Sequence, residues 1–153
     1  MIAGSLASVP PVHHVPADVK GRVIVVADDP TIETRDPVHI QRARDNDVPR
    51  RYRRAMVDAL RLAGFRVIDD RSAPHDLVAK LALAVSEDGD HVTQTYRCGL
   101  QRPDGTAAAQ VDWTWPEGTY VGQFEVFEFA THHLATEVVK SKDVLVELRR
   151  ASP

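Results

Sequence analysis

Hydrophobic and polar positions alternate most regularly between residues 73 and 115, and two Asp-Gly turns at Gly89 and Gly105 divide this stretch into three segments. A period of two predicts β-strands with one buried face, and the turns predict an antiparallel meander. The positions predicted to face the core are Leu77, Ala79, Leu81, Leu83, Val85, Val92, Tyr96, Cys98, Leu100, Ala107, Ala109, Val111, Trp113 and Trp115. The polar positions on the opposite face are Lys80, Thr93, Thr95, Arg97, Gln110, Asp112 and Thr114. We therefore expect a sheet with one face packed and the other in water.

Helical periodicity predicts two long helices outside this meander. Pro49 fits the first turn of the first helix, which has Asp47 as its cap and runs to Ala63 before Gly64 ends it. The second helix is predicted to begin after a Thr119 cap, and its apolar stripe is Tyr120, Phe124, Phe127, Thr131, Leu134 and Val138. Residues 141–150 fit either a short helix capped by Ser141 or an edge strand, and we favour the helix.

Two further apolar segments, residues 22–27 and 65–69, are typical of strands, and the helix between them predicts a crossover between parallel strands. The element order is then β-α-β-β-β-β-α. This order predicts an α+β fold, a two-layer α/β sandwich in which two long helices cover one face of a mixed sheet of about five strands. Residues 1–19 contain three prolines and predict a flexible N-terminal arm, and residues 20–150 predict a single domain. No motif explains the long connection at residues 29–46.

Composition narrows the function classes only slightly. The chain has 153 residues, 43% apolar and 27% charged, as ordinary globular domains do, and its net charge of −3 argues against nucleic-acid binding. Cys98 is the only cysteine, so it forms no internal disulfide, and its inward position predicts an inert side chain. The longest apolar run is far too short to cross a membrane, and residues 1–9 lack the basic start of a signal peptide. A leader, if the natural protein has one, is therefore absent from this chain.

One possible chemical site lies where the two parallel strands end. Parallel strands end at the same edge of a sheet, so Asp28, Asp29, Asp69 and His75 could converge there and bind Mg²⁺ or Ca²⁺. Such a site would suit a metal-assisted hydrolase of the phosphoesterase type. The same aspartates could instead form turns and be balanced by nearby arginines. On a helix, Glu128 with His132 and His133 with Glu137 have the i,i+4 spacing that could hold a metal or form ordinary ion pairs on the solvent side.

Binding of a protein partner is the other function that the residues suggest. Six arginines surround the start of the first helix, namely Arg42, Arg44, Arg50, Arg51, Arg53 and Arg54, and could bind phosphate or an acidic surface or simply be solvated. The residues that we predict to meet a partner are Arg50, Arg51, Arg53, Arg54, Lys80, Arg97 and Asp112. No catalytic or nucleotide-binding signature is present in the sequence, so we expect neither an enzyme nor a cofactor.

The order of elements also resembles that of a known class of bacterial proteins. The resemblance rests on the strand at residues 23–27, the helix-to-strand segment at 59–69, the strand at 75–81 and the meander ending at Trp113. This layout is similar to that of the N-terminal domain of TolB and of LpoB-like lipoproteins. The resemblance implies a periplasmic or lipid-anchored envelope protein that works by binding another protein. Self-association through a sheet edge is a further possibility.

Overall fold

A computed structural model describes residues 6–150, and it shows the predicted α+β sandwich. In this range the α-helices are α1 (Pro37–Asp45), α2 (Val48–Leu62), α3 (Val126–Lys140) and α4 (Lys142–Arg150). The strands are β1 (Val23–Val25), β2 (Thr31–Glu33), β3 (Arg66–Ile68), β4 (Leu77–Asp88), β5 (His91–Gln101) and β6 (Ala107–Thr114). The mixed sheet thus has six strands, where the pattern predicted about five.

The sheet is built in the order β3-β1-β4-β5-β6, and β1 is parallel to both β3 and β4. The predicted parallel pairing around α2 is therefore confirmed. Strand β2 pairs with the later part of β4, so that β1 and β2 follow one another along the same edge of β4. The connection at residues 69–76 joins β3 to β4, which lie on either side of β1. Because crossovers between parallel strands are right-handed, this connection passes over β1 on the sheet face opposite α2. Val25 of β1 is fully buried on that face.

The antiparallel meander has the predicted faces over most of its length. Tyr96, Cys98 and Leu100 are buried, and burial raises the pKa of the Cys98 thiol to about 12, as expected of an inert cysteine. The alternation fails at its ends, where Val92 is 52% exposed. It also fails at the start of β6, because Leu100 pairs with Ala109 while Gln101 pairs with Ala107. The extra residue is a β-bulge, which leaves Ala107 exposed.

The first long helix matches its prediction closely. The predicted stripe is buried, and Gly64 ends the helix with a φ of +105°, a conformation that favours glycine. Asp47 lies at the N-cap position, but its side chain does not cap the helix. It instead pairs with Arg50 at 2.7 Å.

The start of the second long helix was predicted wrongly, because α3 begins at Val126 rather than after Thr119. Tyr120 and Phe124, placed in the buried stripe, are 71% and 85% exposed. The carbonyl oxygens that a helix would use at this point are occupied elsewhere. The Thr119 oxygen accepts the indole N–H of Trp115, and the Tyr120 oxygen accepts the backbone N–H of Ala7. Both bonds compete with the i to i+4 ladder.

The N-terminal arm also differs from its prediction, since residues 6–19 pack against the helices and residues 1–5 lie outside the described range. Val15 and Val19 are buried, and the Val15 amide donates to the carbonyl of Ala63 at 2.8 Å. The His13 amide donates to Thr136 Oγ1 at 3.2 Å. Proline-rich backbone is extended, so its amides are free to bond with other elements rather than with each other.

The remaining corrections concern the two short helices. Residues 29–46, which no motif explained, contain β2 and α1, and Asp36 Oδ1 caps α1 by accepting the Val38 amide at 2.9 Å. Residues 142–150 form the helix that we favoured over an edge strand. In it Val144 and Leu148 are buried, and Ser141 Oγ accepts the Val144 amide at its start.

Candidate binding surfaces

The face of β4, β5 and β6 opposite α2 and α3 carries the predicted polar side chains, and we call it the open face. Its residues are exposed or half-buried, and they are Lys80, Ala82, Ala84, Thr95, Arg97, Gly99, Gln110, Asp112 and Thr114. The packed face carries the aromatic core, in which Trp113 stacks on His133 at 4.7 Å and contacts Phe129. Trp113 and Trp115 therefore point inward as expected.

Charged side chains on the open face are connected to one another. Arg97 donates to Glu33 at 3.3 Å, and its Nε lies 3.9 Å from Asp112. Gln110 donates to the other oxygen of Asp112 at 2.7 Å, and the hydroxyl groups of Thr95 and Thr114 bond across the strands. The Arg97 Nε is buried but has no hydrogen-bond partner among the described residues. This chain of contacts holds Arg97 and Asp112 in place on the surface.

Asp28 and Asp29, proposed above as metal ligands, are paired with cations. Asp28 accepts hydrogen bonds from Lys80, at 2.6 Å, and from Arg71. These cations, with the Lys80 hydrogen bond first, lower the pKa of the Asp28 carboxyl. Asp29 lies 3.0 Å from the Nε of Arg53. The alternative interpretation, aspartates balanced by neighbouring cations, describes this geometry.

Asp69 and His75, the other two residues of the possible metal site, are placed separately. Asp69 lies on the wall of a cavity, whereas the His75 ring bonds through Nδ1 to the backbone oxygen of Ala73 at 2.8 Å. Within the described range, these residues are not among the groups of three ligands close enough to hold one ion. The carboxyl edge of the parallel strands, as far as the described residues show it, therefore does not gather the four predicted metal ligands into one site.

That edge is basic and concave. A cavity of about 660 Å³ lies beside the ends of β1 and β3, and four arginines and two aspartates line it. We call it the arginine edge, and its charged residues are Arg50, Arg53, Arg54, Arg61, Asp58 and Asp69. Arg61 donates to the backbone oxygen of Val67 at 3.1 Å, and so belongs partly to the fold. The surplus of guanidinium groups suits carboxylate or phosphate groups.

The predicted partner-binding residues thus lie on the open face, on the arginine edge and, for Arg51 alone, at a separate position. Lys80, Arg97 and Asp112 lie on the open face, while Arg50, Arg53 and Arg54 lie on the arginine edge. Asp28 and Asp29 are adjacent in the chain and pair with one cation of each surface, so the two surfaces are continuous.

Arg51 stands apart from both surfaces. Its guanidinium lies 4.9 Å from the ring centre of Phe127 in α3, where it makes a cation–π contact between two helices.

The helix histidines have roles in the fold. His133 stacks on Trp113, and burial is the main cause that lowers its pKa. The ring of His132 bonds through Nδ1 to the backbone oxygen of Pro10 at 2.7 Å. Neither histidine forms a salt bridge with Glu128 or Glu137 within the described range.

Sequence reasoning missed a third cluster, formed by Asp36, His39 and Glu87. Their ligand atoms lie within 4.8 Å of one another, and this is the one such group found in residues 6–150. His39 and Glu87 are 48 residues apart, so no local spacing signals the cluster. Only the pairing of β2 with β4, which the pattern did not predict, brings them together.

None of the helices in the described range has the length and hydropathy needed to span a membrane. Neither a protein-family model nor a curated protein matches this chain. Among solved structures, it is similar to the PelC dodecamer from Paraburkholderia phytofirmans, with 18% identity, a TM-score of 0.44 and coverage of 86% of this chain and 93% of that chain.

Two other solved structures are similar at the same level. A putative neuraminyllactose-binding hemagglutinin homolog from Helicobacter pylori has 13% identity and a TM-score of 0.43, covering 95% of this chain and 98% of that one. A DUF330 protein from Xanthomonas campestris has 16% identity and a TM-score of 0.41, covering 92% and 94%. Because these TM-scores and identities are low, we infer neither a ligand nor an assembly of this chain from them.

Proposed function

We propose that this chain is a non-catalytic accessory domain of a bacterial cell-envelope system and that it binds another protein through the open face and the arginine edge. The observation that carries the proposal is the continuity of these two charged surfaces through Asp28 and Asp29. Together they present several cations around the edge of the sheet where Asp28 and Asp29 lie. A partner with an acidic surface fits these cations best.

The energetics of the ion pairs favour exchange with a partner. Exposed salt bridges contribute about 0–1 kcal/mol each, so the pairs of Asp28 and Asp29 can be replaced at little cost by carboxylates of a partner. Arg97 offers a further cation, because its side chain is 41% exposed and its guanidinium pairs with Glu33, which is itself exposed, at 3.3 Å. A carboxylate of a partner can compete for this guanidinium.

The envelope part of the proposal follows from the resemblance in layout to the TolB domain and LpoB-like proteins. Strand β2 and helix α1 lie within residues 29–46, and the other elements keep the expected order up to α3. Fractionation of cells that express the full-length natural protein tests this part. Recovery in the periplasmic or membrane fraction supports it, and recovery in the cytoplasm contradicts it.

The binding part is tested by cross-linked capture from envelope extracts of the source bacterium, followed by titration with the captured protein. Arg54→Glu and Lys80→Glu reverse one charge on each surface, and Lys142→Glu makes the same change at an exposed position of α4 as a control. We expect the first two to weaken binding by roughly tenfold or more and the control to bind normally. Equal binding by all variants, or no saturable partner, would contradict the proposal.

Self-association is separated from binding to another protein by light scattering on the purified chain. A monomer at micromolar concentration supports a different protein as partner. An oligomer that Lys80→Glu dissociates would instead identify a second copy of the chain as the occupant of the open face.

A further inference from the structure

Two carboxylates and an imidazole meet where helix α1 starts beside the far end of β4. The groups are Asp36, His39 and Glu87, and the Nε2 of His39 contacts the Oε1 of Glu87. The His39 side chain is only 14% exposed, whereas that of Glu87 is 46% exposed. The cluster is thus half-buried and open to solvent on one side.

The fold holds these three groups together from two separate elements. Strand β2 pairs in parallel with Ala82, Leu83 and Ala84 of β4, and the chain then reaches α1 within three residues. Asp36 uses Oδ1 to cap α1, which fixes its side chain and leaves Oδ2 available. His39 lies in the first turn of α1, and Glu87 lies at the C-terminal end of β4. The arrangement is therefore set by backbone pairing and by a helix cap.

We propose that Asp36, His39 and Glu87 form a binding site for a divalent transition-metal ion of the Zn²⁺ type. One nitrogen and two carboxylate oxygens suit such an ion, whereas Mg²⁺ and Ca²⁺ prefer oxygen ligands alone. A cavity of about 920 Å³, lined by all three residues, leaves room for water to complete the coordination.

The adjustment needed to bind an ion is small. Tetrahedral zinc with bonds near 2.1 Å separates its ligand atoms by ~3.4 Å, so atoms within 4.8 Å of one another must move by roughly 1 Å. Side-chain rotation of Glu87 and of the free Asp36 oxygen supplies this movement. Arg35 and Arg97 also line the cavity, but Arg97 is engaged with Glu33. The exposed Arg35 can turn into solvent.

Metal binding has a structural consequence for α1. Ala43 is the only buried residue of this nine-residue helix, so apolar packing holds α1 weakly. An ion shared by Asp36, His39 and Glu87 would fasten the start of α1 to the end of β4. The site would then order the rim of the open face, next to Glu33 and Arg97.

The proposal is tested by calorimetric titration of the tag-free full chain with Zn²⁺ and, separately, with Ca²⁺ at about pH 7.5. We expect about one Zn²⁺ per chain with micromolar affinity, much weaker Ca²⁺ binding, and a rise in Tm of roughly 5–10 °C at a hundredfold excess over Kd. Amide hydrogen exchange should slow in residues 36–45 when Zn²⁺ is added. This last measurement reports on the site itself.

Variants separate this site from weak binding by other histidines. His39→Ala and Glu87→Gln should each weaken Zn²⁺ binding by ~100-fold or more. His91→Ala is the matched control, because His91 pairs with a single carboxylate, Glu117, at 3.1 Å. Zn²⁺ binding no tighter than millimolar would overturn the proposal, and so would equal affinities of the wild type and His39→Ala.

Discussion

The hydroxyl group of Tyr52 tests the docking of α2 on the sheet. Tyr52 is fully buried, and its hydroxyl donates to the backbone oxygen of Arg97 in β5 at 2.9 Å. Its ring meets that of Tyr96 edge to face, with 5.0 Å between the ring centres. Burial raises the pKa of both hydroxyls, so both stay protonated at neutral pH. Tyr52→Phe removes the hydrogen bond and keeps the ring.

The expected cost follows from the hydrogen bond that is lost. Removing one intramolecular hydrogen bond costs about 1 kcal/mol in the free energy of unfolding. The Arg97 carbonyl keeps its place in the sheet, where Arg97 pairs with Ala82 and Asp112. Tyr96→Phe is the control, because Tyr96 is equally buried but its hydroxyl bonds to no other group of the described residues. That variant should change stability by less than about 0.5 kcal/mol.

Urea denaturation followed by far-ultraviolet circular dichroism measures both variants. We expect Tyr52→Phe to lower the midpoint at an unchanged m-value, and to lower Tm by roughly 2–4 °C. Equal losses in the two variants would refute the reasoning, since they would show that the Tyr52–Arg97 bond contributes nothing. A neutral Tyr52→Phe would do the same.

Two further predictions concern the N-terminal segment and the aromatic core. Val19→Ala should cost roughly 1–3 kcal/mol in thermal or urea unfolding because Val19 is fully buried, whereas a flexible arm predicts no change. His133 has its pKa lowered from 6.5, chiefly by burial, so its folded form binds protons less readily than the unfolded chain. The stability it contributes is present above pH 6.5 and is lost as the pH falls through the lower folded value. His133→Phe should abolish this loss of stability at low pH, which solvent screening limits to less than about 1 kcal/mol in the free energy of unfolding. If the variant and the wild type lose stability equally as the pH falls, this reasoning is wrong.

The sequence predicted the elements whose signals are local. Alternation with Asp-Gly turns located β4, β5 and β6, and the stripe from Tyr52 to Leu60 located α2. Both signals come from residues that are neighbours in the chain and share one face. The parallel pairing of β1 with β3 also followed, because a helix between two apolar strands restricts the topology.

The errors arose where distant contacts decide the local structure. Tyr120 and Phe124 have helical spacing, but bonds from Trp115 and Ala7 use the carbonyls that a helix there would need. Val15 and Val19 are two apolar residues in a proline-rich segment, and only the neighbouring helices give them a core to enter. The β2–α1 segment has too few buried residues to produce a periodic pattern.

For the candidate sites, the sequence again predicted the residues that share a face but not the contacts between distant elements. The charged residues of β4, β5 and β6 followed from alternation, which assigned Lys80, Arg97 and Asp112 to one face. The convergence of Asp28 and Asp29 at the carboxyl edge was reasonable from topology. The sequence could not show that Lys80 and Arg53 reach them, because those contacts join elements far apart in the chain.

Thiol labelling tests most directly whether one face of the sheet is covered and the other is open. In Thr114→Cys the introduced thiol lies on the open face, while the native Cys98 lies on the packed face of the neighbouring strand and is fully buried. With the reagent DTNB, we predict that one thiol reacts at once and that the second reacts only after denaturant unfolds the chain. Rapid reaction of Cys98 in the folded wild type, or protection of the introduced thiol in the isolated chain, would contradict the account.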